Sequence, residues 1–491
     1  MPKWTDSRLE IVPLLGSWSS GTGSLHARLA SASRSAAERG ALPAGSRRPP
    51  ERPLAEALEV SRTTVVLAYA RLREEGFVES RQGSGSWISR RAGAASPRLG
   101  DERSRSFLVD TVTRAAAEEP AGTIGFLGAC LPGTGVPLED AWRAATADVA
   151  EMAGGTGYSP QGWPALRRAI ADRLERRGLP TSPDEILVTN GAQQAIDLVG
   201  RLLVARGDAV VIEDPTYPGA IDALALAGAR LLGVPVSSSG VDIEALRRTV
   251  RVERPAVAYV VPSFHNPTGG VMHEGARREV AELADASGLL VVEDESLAEL
   301  GFAEEPPPPI AAFSRRGSVL TVGSLSKLYW GGLRVGWVRG PRPLVARLTR
   351  AKVAADLSGS PISQAVAVHL MEREAEVVPS RRRALREGYE RLAGLLRAAL
   401  PEWSWVEPRG GLTLWVRLPS ATADALARVA PAHGVAVVPG SVHSPSRAFA
   451  DRLRLPDVLD GDRLAEGVAR LARAWRDCQQ GGAEGRLGVL V

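Results

Sequence analysis

The chain has 491 residues, 44% hydrophobic and 24% charged, the balance of a globular protein with more than one domain. No apolar run approaches the roughly 18 residues of a membrane span, and MPKWTDSRLE lacks the apolar core of a signal peptide, so a cytoplasmic chain without a membrane partner is expected. Cys130 and Cys478 have neither disulfide-framework nor metal-ligand spacing, so free thiols and no metal centre are expected.

The net charge of +4 is unevenly placed. The first 91 residues carry 14 basic and 9 acidic side chains, the remaining 400 carry 46 and 47. A basic head suits a polyanion partner, and it equally suits a solvated surface. In the head, Leu54, Leu58 and Val60 fit one short helix packing inward. Ser61 then suits an N-cap, because its hydroxyl accepts a free backbone N–H. The following helix has Val65, Tyr69 and Leu72 on one face and Arg62, Thr63 and Thr64 in its first turn, ending near Gly76. FVESRQGSGSWI reads as strand, glycine turn, strand. A helix, a tight turn and a second helix with basic and hydroxyl residues at its start suit a helix-turn-helix, with the hairpin as a wing. A helical cap with exposed Arg and Thr has the same periodicity.

Arg90–Ser106, rich in Arg, Ser, Gly and Ala, reads as a linker. Beyond it, the apolar runs AVVIEDP, VAYVVPS, GLLVVEDE and SVLTVGS alternate with helix-period stretches such as ARREVAELADASG. That alternation predicts an α/β body around a largely parallel sheet. The expected division is a head (1–90), a linker (91–122), a body (123–476) and a mobile tail (477–491).

Chemistry-bearing residues fall at the ends of the body's strands, where ligands of open α/β sheets bind. TNGAQQA is strand, glycine turn and helix, so the N–H groups of Ala192 and Gln193 open a helix N-terminus suited to phosphate. Tyr217 ends a second strand, Asn266 follows a third in an Asn-Pro turn, and Asp294 closes a fourth. Lys327 stands in GSLSKLYWGGLRVGW with Ser324, Ser326 and Arg334. Each feature alone also has a plain structural reading, as turn, strand end or surface. The joint order is what points to a ligand.

Residues from about Leu42 to Ile88 resemble the winged-helix head of GntR-type regulators. The resemblance implies DNA contacts from Arg52, Arg62, Thr63 and Thr64, and from the wing at Gln82 and Gly83. Arg48, Pro50, Glu51 and Pro53 depart from the usual pattern, and an acid at Glu51 repels any phosphate it faces. From about Phe126 to Arg473 the chain resembles fold-type I aminotransferases of class I/II, which bind pyridoxal 5′-phosphate (PLP). By that resemblance Lys327 is the catalytic Schiff-base lysine, Asp294 pairs with the pyridine nitrogen, Asn266 bonds the phenolate oxygen and Tyr217 stacks on the ring. Ala192, Gln193, Ser324, Ser326 and Arg334 hold the phosphate, joined by Tyr158 from a partner subunit. Arg454 grips a ligand carboxylate, with Arg452 an adjacent candidate. Ser296 stands where the family carries a tyrosine, and Pro456–Asp457 where it carries Gly-Phe.

The fusion of the two is that of the MocR-type subfamily of GntR regulators. It implies an α+β winged helix-turn-helix followed by an α/β fold-type I transferase-like domain, with a large mixed or parallel sheet and a smaller C-terminal α+β subdomain. It further implies a PLP-dependent homodimer on a double-stranded DNA operator, nucleoid-associated when bound, that senses an amino compound or PLP. A working aminotransferase carrying a DNA-binding head is the alternative. A DNA-binding protein with a cofactor-free body is a third reading, against which the intact Lys327, Asp294, Asn266 and Arg334 count.

Overall fold

The computed structural model describes residues 15, 18, 24–38, 49–74, 78–81, 85–88, 122–303 and 305–487. It separates into two compact units, Met1–Arg105 and Ser106–Val491. The expected linker lies almost wholly outside the described residues.

The first unit contains α1 (Leu25–Glu38), α2 (Glu51–Ala57), α3 (Arg62–Glu74) and the antiparallel pair β1 (Val78–Arg81) and β2 (Gly85–Ile88). Val65, Ala68, Tyr69 and Leu72 turn inward from α3 and meet Leu29, Leu54 and Val78. This is the face that the four- and three-residue spacing marks. The buried Tyr69 hydroxyl donates to the carbonyl of Pro49 at 2.9 Å, which ties α3 to the start of α2. The expected first helix is shorter than the apolar spacing suggests. It stops at Ala57 because Glu59 turns left-handed (φ 53°), so Leu58 and Val60 reach the core from the turn.

The second unit is built on an eight-stranded sheet. Its strands are β4 (Ile186–Thr189), β5 (Ala209–Asp214), β6 (Arg230–Ser237), β7 (Gly240–Val241), β8 (Val257–Val260), β9 (Leu290–Asp294), β10 (Val319–Ser324) and β11 (Gly336–Arg339). β3 (Ile124–Gly125) lies outside this sheet. The order is β4-β11-β10-β9-β8-β5-β6-β7, with β11 and β7 antiparallel to their neighbours and β10, β9, β8, β5 and β6 mutually parallel. The four predicted apolar runs are β5, β8, β9 and β10. They are nearly continuous in apolar residues because helices cover both faces. One face packs α4 (Leu138–Met152), α5 (Pro164–Arg176), α8 (Ile243–Glu253) and α9 (Glu274–Ser287). The other packs α6 (Ala192–Leu203), α7 (Pro218–Leu226) and α10 (Arg342–Asp356).

After α11 (Pro361–Glu372) and the long α12 (Glu374–Ala399) comes the smaller subdomain. Its sheet runs β12 (Ser404–Trp405), β13 (Thr413–Arg417), β16 (Arg452–Pro456), β15 (Val438–Pro439). α13 (Ala423–Val429) and α14 (Gly461–Leu487) complete it, while β14 (Val435–Ala436) pairs with β3. Its core gathers Phe126, Leu414, Leu453, Leu455, Leu471 and Trp475. α14 continues through Leu487, where the sequence predicts a mobile tail from Asp477. The helix runs on from the buried Trp475.

Candidate functional site

The parallel strands all deliver their carboxyl ends to one side of the sheet. A cavity of about 570 Å³ opens there. It is lined by Ala192, Gln193, Tyr217, Asn266, Asp294, Ser296, Ser324, Ser326, Lys327, Arg334 and Arg454, which converge from six separate loops and strands.

Asp294 is the last residue of β9 and only 6% exposed. Alternation along β9 turns it to the cavity, while its neighbours face a different environment. Glu293 accepts from the N–H groups of Ile310 and Ala311 and from the Thr321 hydroxyl. Glu295 is held by Arg277 at 3.0 Å and Arg177 at 2.9 Å. Burial raises the pKa of Asp294, opposed by hydrogen bonds from Ser296 and Tyr259. The Ser296 N–H donates to Asp294 Oδ1 at 2.9 Å.

Lys327 follows β10 and donates from Nζ to the carbonyl of Ala129 at 2.8 Å. Burial lowers its pKa, Cys130 and Asp294 raise it, and Arg454 and Arg334 lower it further. An amine partly desolvated in this way yields its proton more readily than a surface lysine and is a better nucleophile for a carbonyl carbon. The tight turn Asn190–Gly191 leads into α6. Gly191 has φ +82°, and a Cβ there would lie 2.8 Å from Arg334 Nη2, so only glycine lets this guanidinium close over the helix N-terminus. Arg334 also donates to the Asn190 carbonyl at 2.6 Å. The Ser326 N–H donates to Ser324 Oγ at 3.1 Å. Tyr217 donates to Gln193 Oε1 at 3.1 Å, and burial pushes its phenol up to about 12.

Arg454 lies on β16 and donates from Nη2 to the Leu127 carbonyl. Burial brings its pKa down to about 10. Of the two arginines on this strand, only Arg454 lines the cavity. Arg452 sits 3.8 Å from Asp451 instead. Tyr158 is 65% exposed and does not line the cavity of its own chain.

Asn266 Oδ1, Ser296 Oγ, Ser326 Oγ and Arg454 Nε are buried without hydrogen-bond partners. They belong to residues around one cavity that also holds an amine, a carboxylate and a helix N-terminus. That donor set fits a phosphorylated pyridine aldehyde. Two members escape sequence reasoning. Tyr259, on β8, donates to Asp294 Oδ2 at 2.7 Å. Cys130 joins the lining through a contact of its Sγ with the Ser326 carbonyl at 3.4 Å.

In the first unit, Ser61 caps α3, accepting from the Thr64 N–H at 3.1 Å. The Thr64 hydroxyl is 2.8 Å from Ser61 Oγ, so it serves the cap. Thr63 is exposed. Arg62 reaches back to Glu51 at 3.4 Å, and Arg52 pairs with Glu56 at 3.5 Å. Gln82 and Gly83 lie outside the described residues. Among the described residues no group of His, Cys, Asp or Glu is placed to hold a metal ion, and no helix is long and apolar enough to cross a membrane.

Residues 129–456 match the aminotransferase class I and II family and residues 34–88 the bacterial regulatory proteins of the gntR family. The chain is 36% identical to a 2-aminoadipate transaminase of Thermus thermophilus, over 72% of this chain and 90% of the relative. It is 30% identical to the probable rhizopine catabolism regulatory protein MocR of Rhizobium meliloti, over 90% of this chain and 92% of that one. The crystal structure of a Thermus thermophilus α-aminoadipate aminotransferase complexed with N-(5′-phosphopyridoxyl)-L-leucine superposes with a TM-score of 0.70 at 34% identity, covering 75% of this chain and 95% of that one. The chain therefore belongs to the MocR-type subfamily of GntR regulators, with a body of the PLP-dependent aminotransferase class I and II family.

Proposed function

We propose that the protein is a transcriptional regulator that binds an operator through α3 and its wing and changes its grip on DNA when an amino compound or PLP occupies the cavity. One observation carries this reading. The chain that presents a capped helix with Arg62 and Thr63 at its exposed start also keeps Lys327, Asp294, Asn266, Arg334 and Arg454 around a single cavity.

Lys327 is the amine that holds the cofactor aldehyde covalently, its lowered pKa favouring the free base. Asp294 would pair with the ring nitrogen, Asn266 with the ring oxygen, and Tyr217 would lie against the ring. The N-terminus of α6 at Ala192 and Gln193 holds the phosphate together with Ser324, Ser326 and Arg334. Arg454 takes the carboxylate of an amino acid by its fork of donors. Bound there, PLP supplies an electron sink beside the ligand's amino group. Ser296 brings a shorter hydroxyl than the family's tyrosine, so the phenolate oxygen depends more heavily on Asn266. A ligand signals only if it prefers one of two conformers of the regulator.

The assembly is a homodimer. Trp142, Tyr158, Trp330, Leu357 and Ile362 are each more than 40% exposed. Trp330 stands three residues after Lys327, so apolar surface adjoins the site, and Tyr158 is available to a neighbouring subunit's phosphate. A head on each subunit would meet paired half-sites.

The test is the visible spectrum of the purified protein and of Lys327→Ala, followed by a panel of amino compounds with operator binding measured alongside. An absorbance band lost in the variant, shifted by one class of amine and accompanied by altered DNA affinity, supports a sensor. Continuous turnover with an oxo-acid acceptor would instead make the body an enzyme. No band after adding PLP rejects the cavity assignment.

A further inference from the structure

Asp294 is the one carboxylate among the cavity's described residues, and the neighbouring strand supplies its partner. Tyr259 of β8 is in register with Val292 of β9. Asp294 lies two residues further along β9, on the same face and within reach of a long side chain. The Tyr259 hydroxyl donates to Asp294 Oδ2 at 2.7 Å, and the two residues are 1% and 6% exposed. The Ser296 N–H occupies Oδ1. Both carboxylate oxygens are thus pinned, one from the loop after β9 and one from a separate strand.

We propose that Tyr259 is a positioning residue of the cofactor site, holding Asp294 ionised and aimed at the ring nitrogen of the bound pyridine. The proposal rests on the reading of the cavity as a PLP site. Its physical basis is that a hydroxyl donating to a carboxylate favours the charged form, whereas burial favours the neutral one. A ring nitrogen keeps its proton only beside a charged Asp294, so the donor on the far side of the carboxylate bears on the electronics of the ring. Tyr259 is suited to this. Burial and Asp294 together push its phenol well above the usual tyrosine range, so it remains a donor wherever the protein is folded. Its ring is fixed in the core between the sheet and its covering helices.

The experiment compares two ligands on cofactor-free protein by absorbance titration. One is PLP, and the other is its 1-deaza analogue, which keeps the aldehyde and phosphate but has carbon at the ring-nitrogen position. Tyr259→Phe should weaken PLP about tenfold to a hundredfold and leave the analogue's affinity at the wild-type value. Tyr259→Leu removes the same hydroxyl with a different shape, and whichever variant folds serves. Unchanged PLP affinity overturns the proposal. So does equal weakening of both ligands, which marks a general packing defect. Wild-type protein that binds neither ligand rejects the cofactor reading itself, a result distinct from either.

Discussion

Replacing Arg454 by methionine should make the cofactor-free protein more stable and less able to hold a carboxylate. The guanidinium is 6% exposed, its Nε has no partner, and burial depresses its pKa to about 10, with Tyr217 alone pulling it upward. A depression of roughly 2.5 in pKa corresponds to about 3 kcal/mol against the charged folded state at neutral pH. Because the folded pKa of a base is lowered, that cost is fully present below about pH 10 and fades only above it. The variant also loses the charge-assisted hydrogen bond to the Leu127 carbonyl, about 2 kcal/mol, which leaves a net gain of about 1 kcal/mol. The assay is thermal denaturation of the cofactor-free protein at pH 7. In parallel, affinities for leucine and isoamylamine, the same chain with and without a carboxylate, are read from the spectrum of loaded protein. The advantage of leucine should fall by about a hundredfold, since removing one partner of a buried ion pair costs about 3 kcal/mol, which spans two decades. A less stable variant that keeps that advantage would refute the reasoning.

Two further changes test other parts of the chain. Asp457 is a buried acid whose pKa burial lifts to about 7. A raised acid pKa means stability is lost as pH climbs from about 4 to 7, by about 4 kcal/mol, and Asp457→Asn should flatten that slope in denaturation curves taken across the window. Glu51→Gln should release Arg62 from its 3.4 Å pair and, if α3 meets DNA as proposed, remove a negative charge beside that surface. Binding to random duplex should tighten, with a salt slope steeper by about one, and preference for operator should narrow. Unchanged or weaker random-duplex binding would count against this placement of Glu51.

Much of the site is legible in the sequence because it lies where β/α alternation must put it. Once AVVIEDP, VAYVVPS, GLLVVEDE and SVLTVGS are strands of a parallel sheet, the residues that end them share one edge. Tyr217, Asn266, Asp294 and Lys327 follow from that rule without any knowledge of side-chain contacts. The buried face of α3 is equally legible, since the spacing of Val65, Tyr69 and Leu72 leaves Arg62 and Thr63 on the outer face. The Thr64 hydroxyl lies 2.8 Å from Ser61 Oγ, a contact that the spacing alone does not reveal.

Other features depend on distances between segments far apart in the chain. Tyr259 sits in VAYVV as one more buried residue, and only the register of β8 on β9 joins it to Asp294, 35 positions away. Cys130 reaches the Lys327 loop across 196 positions. Arg452 and Arg454 are equivalent on the page, and the packing of β16 beside the Leu127 segment selects the second. Glu51 meets Arg62 only because α2 and α3 fold against each other. Periodicity and turn chemistry are local, so the sequence by itself determined the two-part architecture, the strand ends and the residue types gathered there. Register, burial and hydrogen-bond pairing are non-local. The tertiary structure alone decided which of those residues face one another, and therefore which charges the site can hold.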